Sequence, residues 1–406
     1  MSDLLFTPIK IGPITLRNRS IRAAAFEGMC KDNAPTKMLE DYHLSVAKGE
    51  IGMTTIAYAS INRSGLSFTS QLLMREKIVD KLKEITDKIH NTGAKVSIQL
   101  GHCGNMSHKS IAGETPVSAS TGFNLYSPTF VRGLRQSEIV DLAKDFGTAV
   151  NLARKAGFDA VEIHAGHGYL ISQFLSPYTN KRKDKYGGCL ENRMRFMRMV
   201  MQEVMKAAKD DIAVIVKTNI RDGFKGGIEI DEALLIAQEL EKLGAHALVL
   251  SGGFVSRAPM YVMRGVMPLT TMTHYMKSWW LKIGVKLGGR FVIPGVPFKP
   301  LYFLEDALKF REVIKIPLIY VGGVVSKKDI DTVLSKGFEC FAMARALVRT
   351  PDFIKQLKNK ELITSGCKHS NYCIARMYSL EMKCHKCIDK LPNNITKEIQ
   401  RIEAKG

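Results

Sequence analysis

The sequence predicts an α/β protein, a (β/α)8 TIM barrel with long loops at its C-terminal face and a short Cys-containing C-terminal tail. Eight short apolar or β-branched runs alternate with amphipathic helical patterns along 406 residues. Such alternation requires crossover connections and hence parallel strands. Eight is also the number at which a parallel sheet of this kind closes on itself. A doubly wound open sheet is the alternative with the same alternation.

The strands are expected at 21–25, 53–58, 95–100, 160–165, 212–219, 247–252, 317–322 and 340–345. Helical periodicity marks 76–91, 137–156, 191–208, 231–243, 303–313 and 327–335. Ser137 precedes Glu138 and Ser326 precedes Lys327 with Asp329 three residues on, so both serines read as N-caps. Helices should stop at Ala156-Gly157, Leu243-Gly244 and Lys336-Gly337, where glycine accepts the left-handed turn.

Two segments exceed the plain repeat, 101–135 after the third strand and 260–300 after the sixth. Both leave the C-terminal ends of strands, where barrel sites are built from loops, and long loops there are commonly functional. The second holds both tryptophans, in Met276-Lys277-Ser278-Trp279-Trp280-Leu281-Lys282-Ile283-Gly284-Val285-Lys286-Leu287. It reads as a cap over a pocket, a basic amphipathic interfacial element, or a subunit contact that would make a homo-oligomer.

Lys+Arg 59 against Asp+Glu 39 gives a net charge of +20. The lysines are scattered and form no long basic run, so nothing resembles a nucleic-acid-binding element. No apolar run reaches the about 20 residues of a membrane span. The first residues, Met1-Ser2-Asp3-Leu4-Leu5-Phe6, lack a signal-peptide pattern. Cys30, Cys103, Cys189 and Cys340 are scattered, while Cys367, Cys373, Cys384 and Cys387 cluster late, unlike a secreted disulfide framework. A cytoplasmic location is the expectation.

The chemistry gathers where the strands end. The fourth strand runs into Glu162-Ile163-His164-Ala165-Gly166-His167-Gly168-Tyr169. Two imidazoles and a phenol at one strand terminus can hold and protonate an oxygenated substrate. As alternatives, either histidine could be a satisfied core residue, or the pair could ligate zinc, a weak reading without a third ligand. Ala24, Ala25 and Ala57 end other strands and allow close approach of a planar ring. Gln99, and Lys217 inside the apolar run Ile212–Val216, could bond an imide and stabilise charge on it. Gly322-Gly323 after the seventh strand and Ala344-Arg345 after the eighth lie where such barrels bind phosphate.

Longer motifs then become recognisable. They are Leu5-Phe6-Thr7-Pro8 with Leu16-Arg17-Asn18-Arg19, and His164-Ala165-Gly166-His167-Gly168-Tyr169-Leu170. The second continues through Gln173-Phe174-Leu175-Ser176-Pro177, Asn180, Arg182, Asp184, Tyr186-Gly187-Gly188 and Glu191-Asn192-Arg193. The chain resembles the Old Yellow Enzyme family of FMN-dependent NAD(P)H:flavin oxidoreductases over roughly residues 4–357. Tyr320-Val321-Gly322-Gly323-Val324 and Ala342-Met343-Ala344-Arg345 are similar to the branch of 2,4-dienoyl-CoA reductases.

The resemblance implies an FMN-binding barrel over 1–357 and a Cys-containing tail over 358–406. It implies FMN as cofactor, NADH or NADPH as donor, and a small-molecule enone or enoate as substrate. Gln99 would bond the flavin pyrimidine edge and Lys217 would stand near N1 and O2. Ala24, Ala25 and Ala57 would line the ring, and Gly323, Ala344 and Arg345 would hold the phosphate. His164 and His167 would bond the substrate carbonyl, hydride would pass from flavin N5 to the β-carbon, and Tyr169 would protonate the α-carbon. Phe26 stands where relatives carry a cysteine or threonine, Ala57 where glycine is common, and Cys189 where serine is common. The tail departs further, with Ser370 where dienoyl-CoA reductases place the second cysteine of a [4Fe–4S] site. A rearranged Fe–S or zinc site and a tail that only packs both stay open, and no metal ligand is assigned. A second flavin domain is expected to be missing. A dihydrouridine-synthase-like tRNA reductase and a non-catalytic flavin protein are the alternatives.

Overall fold

The computed structural model describes residues 3–125 and 128–404. Met1 and Ser2 of the N-terminal reading and Tyr126 and Ser127 of the 101–135 segment lie outside the described residues, as do the last two of the tail.

Eight parallel strands form a closed barrel: β1 (Ser20–Arg22), β2 (Met53–Ser60), β3 (Lys95–Gly101), β4 (Ala160–His164), β5 (Ala213–Asn219), β6 (Ala247–Ser251), β7 (Leu318–Val321) and β8 (Cys340–Met343). Closure is explicit, because Ile21 of β1 pairs with Ala342 of β8 on one side and Met53 of β2 on the other. The open-sheet alternative is thereby excluded. Expected strand ends differ by a few residues. Ala24 and Ala25 lie beyond the β1 ladder, and Ala344 and Arg345 beyond β8, so their N–H groups are not spent on it.

The strands are apolar on both faces, and their period of two sorts the residues. On β5, Val214 and Val216 face the helical layer, while Ala213 and Ile215 join the inner core with Ala160, Ala247, Val249, Ile319 and Ala342. Continuing the inner row by twos leads to Lys217 and Asn219 on β5, Glu162 and His164 on β4, Gln99 on β3 and Ser251 on β6. At the C-terminal mouth these rows bring lysine, glutamate, glutamine, histidine and serine side chains together, while deeper in the barrel Ser97 and Thr55 satisfy each other at 2.7 Å.

Helices α1 (Lys37–Lys48), α2 (Val79–His90), α3 (Gln136–Lys155), α4 (Arg195–Ala208), α5 (Ile230–Lys242), α6 (Leu304–Val313) and α7 (Lys327–Ser335) cover the outside. Their inward stripes include Leu82, Phe146, Val200 and Leu240, all fully buried. Truncating one such leucine costs about 2–5 kcal/mol.

Three local expectations need correction. Helix α1 has no counterpart in the sequence reading, since its buried face mixes Leu39 and Val46 with Glu40 and His43. Helix α3 begins at Gln136, so Ser137 sits inside the first turn; Glu138 caps by accepting the Arg135 N–H at 2.7 Å and also binds the Arg132 guanidinium. The 191–208 helix is broken at Met194, where Leu190–Arg193 ends and α4 starts. Ser326 does cap α7, accepting from the Asp329 N–H at 3.2 Å. Gly157, Gly244 and Gly337 take positive φ at the predicted stops.

The 260–300 insertion contains helices Leu269–Tyr275 and Trp279–Val292. Met260, Met267 and Met272 share an apolar cluster with Cys373, Ile374, Ala375 and Met382 of the tail. Insertion and tail therefore pack as one body on the mouth. Among the described residues no helix is long and apolar enough to cross a membrane.

Candidate active site

At the mouth, Glu162 Oε1 accepts from Gln99 Nε2 at 2.6 Å and from Lys217 Nζ at 2.7 Å. All three side chains are buried. A lysine on an inner barrel row is tolerated because a carboxylate two residues before His164 neutralises it. Lys217 Nζ also donates to the Ala24 carbonyl at 3.4 Å, so β5 reaches across to the residues that follow β1.

His164, His167 and Tyr169 converge. The His164 ring centroid lies 4.6 Å from that of Tyr169 and 5.1 Å from that of His167. His164 Nδ1 takes the Gly166 N–H at 3.4 Å, which leaves Nε2 to donate. His167 adopts a left-handed backbone, φ 58°, held by its N–H donating to Asn219 Oδ1 at 2.9 Å. Its Nε2 meets Ser251 Oγ at 2.7 Å, so a serine proton there leaves Nδ1–H for a ligand. Between them Gly168 has φ 78°, and a Cβ would stand 2.4 Å from the Phe254 ring. The motif therefore needs glycine to turn Tyr169 back over His164.

Burial sets the protonation states. It drives the His164 imidazole well below its ordinary value, with His167 and Lys217 nearby adding to the effect, and brings His167 to about 3. Both are neutral donors at physiological pH. Burial also raises Tyr169, with Cys103 adding, so the phenol keeps its proton.

Ala24, Ala57, Tyr58, Cys103, Met106 and Tyr169 form a small apolar cluster over the mouth. Tyr58, absent from the predicted set, lies 5.2 Å from Tyr169 by ring centroid and bonds Ser67 at 2.5 Å. Phe26 stacks on Phe68 at 4.6 Å, so this departure fills an aromatic wall. Glu27, buried, receives the Ala57 N–H at 3.1 Å and pairs with Arg22 and His43, which anchors the Ala57 segment.

On the β7–β8 side, Gly322 and Gly323 both have positive φ. The Tyr302 ring lies over them, 2.9 Å from where a Gly323 Cβ would be. Two guanidiniums, Arg345 and Arg264, act on the Tyr302 hydroxyl. Arg264 is ringed by Tyr261, Tyr302 and Phe303, and its Nε is buried without a partner. Among the described residues neither arginine pairs with a carboxylate. Asn371 of the tail joins them, accepting from Arg345 at 2.5 Å and donating to the Arg264 carbonyl at 2.7 Å. Arg264 and Asn371 escape the sequence reading, in which the tail stands out only for its thiols.

Cys367, Cys373 and Cys384 line a cavity of about 190 Å³ with His369 and His385, while Cys387 is exposed. Among the described residues no three Cys, His, Asp or Glu side chains are placed to hold a metal.

The model of the NADH:flavin oxidoreductase / NADH oxidase family matches residues 4–264. The chain belongs to this family. It is 36% identical over 376 residues to a 4,4'-dithiodibutanoate disulfide reductase of Rhodococcus erythropolis, covering 92% of this chain and 93% of that one. It is 34% identical to a metal reductase of Desulforamulus reducens, covering 86% of this chain but 48% of the relative. With an NADH oxidase of Thermoanaerobacter brockii it shares 28% identity across 50% of that protein, so it spans about half of these two relatives. The fold superimposes on 2-naphthoyl-CoA reductase with a TM-score of 0.81 at 22% identity, covering 98% of this chain and 58% of that one. An old yellow enzyme homologue from Zymomonas mobilis gives 0.73 at 24%, covering 96% and 99%.

As a family member the protein is an FMN-dependent oxidoreductase that draws electrons from NADH or NADPH. The residues suit FMN. Gln99 and Lys217 offer an amide and an ammonium to an imide edge, small Ala24, Ala25 and Ala57 leave room for a flat ring, and among the described residues Arg345 pairs with no carboxylate, which leaves its charge for a phosphate.

Proposed function

We propose that the protein is an ene-reductase acting on α,β-unsaturated carbonyl compounds. The observation that carries this reading is the convergence of two neutral imidazole donors and a protonated phenol above the buried Gln99–Glu162–Lys217 group. Bound FMN would supply the hydride, taken from NADH or NADPH. His164 Nε2–H and His167 Nδ1–H donate to the substrate oxygen and stabilise the negative charge that grows on it. Tyr169 delivers a proton to the α-carbon, and Tyr58 flanks it. Lys217 and Gln99 address the flavin's pyrimidine edge, Ala24, Ala25 and Ala57 its ring, and Gly322, Gly323, Ala344 and Arg345 its phosphate.

The test is reoxidation of the reduced holoenzyme by cyclohexenone in stopped flow. Tyr169→Phe should slow that half-reaction by about 10²–10⁴-fold while reduction by NAD(P)H is unchanged. Unchanged reoxidation would remove Tyr169 as the acid, and no reoxidation of the wild type would refute the ene-reductase reading.

The relative at 36% identity over nearly both chains favours a second reading, reduction of an organic disulfide. There hydride would cleave S–S to one thiol and one thiolate, and Tyr169 would protonate the thiolate to the second thiol. Release of free thiol from 4,4'-dithiodibutanoate distinguishes the two.

A further inference from the structure

Helix Trp279–Val292 of the insertion has no part in the barrel chemistry. It is seated through Leu281, Val285 and Gly289, the last so close that a Cβ would stand 3.0 Å from Leu269. The opposite side carries Trp279, Trp280, Ile283, Leu287 and Phe291, exposed by 72, 57, 49, 78 and 89%. At 100° per residue these side chains fall within an arc of about 120°. A lid would turn such a face onto the barrel mouth, whereas here it points away from the molecule. Apolar exposure this concentrated marks a docking surface.

Charge identifies what docks. No aspartate or glutamate occurs between Glu241 and Glu305, while Lys277, Lys282, Lys286, Arg290 and Lys299 lie on the helix or its flanks. On the same wheel Lys286 borders the apolar arc, Arg290 falls inside it next to Trp279, and Lys282 lies about 60° outside it. A second copy of this chain, itself at +20, would bring like charges together across the contact. An anionic bilayer surface satisfies both halves of the helix. Its acyl boundary accepts the leucine, isoleucine and aromatic side chains, tryptophan above all, and its headgroups accept the cations.

We propose that helix Trp279–Val292 docks the protein on an anionic lipid surface, lying in the plane of the interface. The helix issues from the same end of the barrel as the mouth, so docking sets the active site beside lipid. The assignment is independent of which substrate is reduced.

The chain's two tryptophans both sit in this helix, so tryptophan emission of the holoenzyme, excited beyond the tyrosine band, reports on it alone. Vesicles of equal phosphatidylglycerol and phosphatidylcholine should blue-shift the emission, protect it from iodide and carry the protein upward in flotation. Raising the salt to about 0.5 M should weaken binding. Leu287→Glu with Phe291→Glu should reduce vesicle affinity at least tenfold, with flavin content and melting temperature unchanged. Lys282→Glu with Lys286→Glu should do the same. The proposal is overturned if anionic vesicles leave emission and flotation unchanged, or if phosphatidylcholine alone binds equally. It is also overturned if the double glutamate variant binds like the wild type, or if the emission shift follows protein concentration without lipid, which would assign the face to a second copy.

Discussion

Glu162 places one carboxylate oxygen 2.7 Å from the ammonium of Lys217, with both side chains buried. The same oxygen holds the Gln99 amide. One residue therefore orients both groups proposed to address the flavin's pyrimidine edge and sets the net charge of the cluster. Glu162→Gln should preserve shape and leave the lysine uncompensated, raising the midpoint potential of the bound flavin in a redox titration. Glu162→Ala should also destabilise the fold by about 3–5 kcal/mol, read from denaturant midpoints, because a buried ammonium loses its partner.

His164→Ala with His167→Ala should weaken phenolic ligands by about 2–3 kcal/mol, roughly 30- to 150-fold, as two neutral hydrogen bonds are lost. FMN should remain bound, since neither ring contacts the Gln99–Glu162–Lys217 group by hydrogen bond. Spectral titration measures both. Loss of FMN would make the pair structural.

The pH dependence has a definite sign. His102, His167 and His369 are each brought from 6.5 to about 3, chiefly by burial. Between those values the unfolded chain binds more protons than the folded one, so stability falls as pH falls. The contribution is complete above about pH 6.5, and melting temperature should drop on acidification from there toward about pH 4. Phenol affinity should stay level from about pH 5 to 8, because His164 and His167 remain neutral throughout. Differential scanning calorimetry and titration at each pH test the two halves separately.

Asn371 ties the tail to Arg345, the proposed phosphate ligand. It has φ 56°, which glycine also tolerates, so Asn371→Gly removes the side chain without backbone strain. Losing its bonds to Arg345 and to the Arg264 carbonyl should weaken FMN by about 1–2 kcal/mol, roughly 5- to 30-fold. Flavin fluorescence on dilution gives the dissociation constant directly.

The barrel is legible in the sequence because its strands are apolar on both faces, and short runs of that kind between helical patterns rarely form anything but a parallel sheet. The mouth is legible for the same reason, since a polar side chain in such a run must lie near its end. The period of two puts Glu162 on the mouth-facing row with Ala160 and His164, but its pairing with Lys217 depends on the β4–β5 register, which the sequence does not display. Arg264 and Asn371 are beyond reach, as their meeting depends on how insertion and tail pack 107 positions apart in sequence. The α3 cap departs from its serine because Glu138 can cap through its carboxylate instead. The outward face of Trp279–Val292 is also hidden, since periodicity locates an apolar stripe but not the side on which the molecule lies.

The barrel closes where β1 meets β8, with Ile21 beside Ala342 and the Ala23 N–H donating to the Met343 carbonyl at 2.9 Å. Ala24 and Ala25 leave one edge of that junction, and Ala344 and Arg345 leave the other. A flavin gripped by both would staple the chain's early and late segments across their zipper. Cofactor loading should then act as a latch on topology: the empty barrel would unzip first at this junction, and hydrogen exchange in β1 and β8 should slow most when FMN is added.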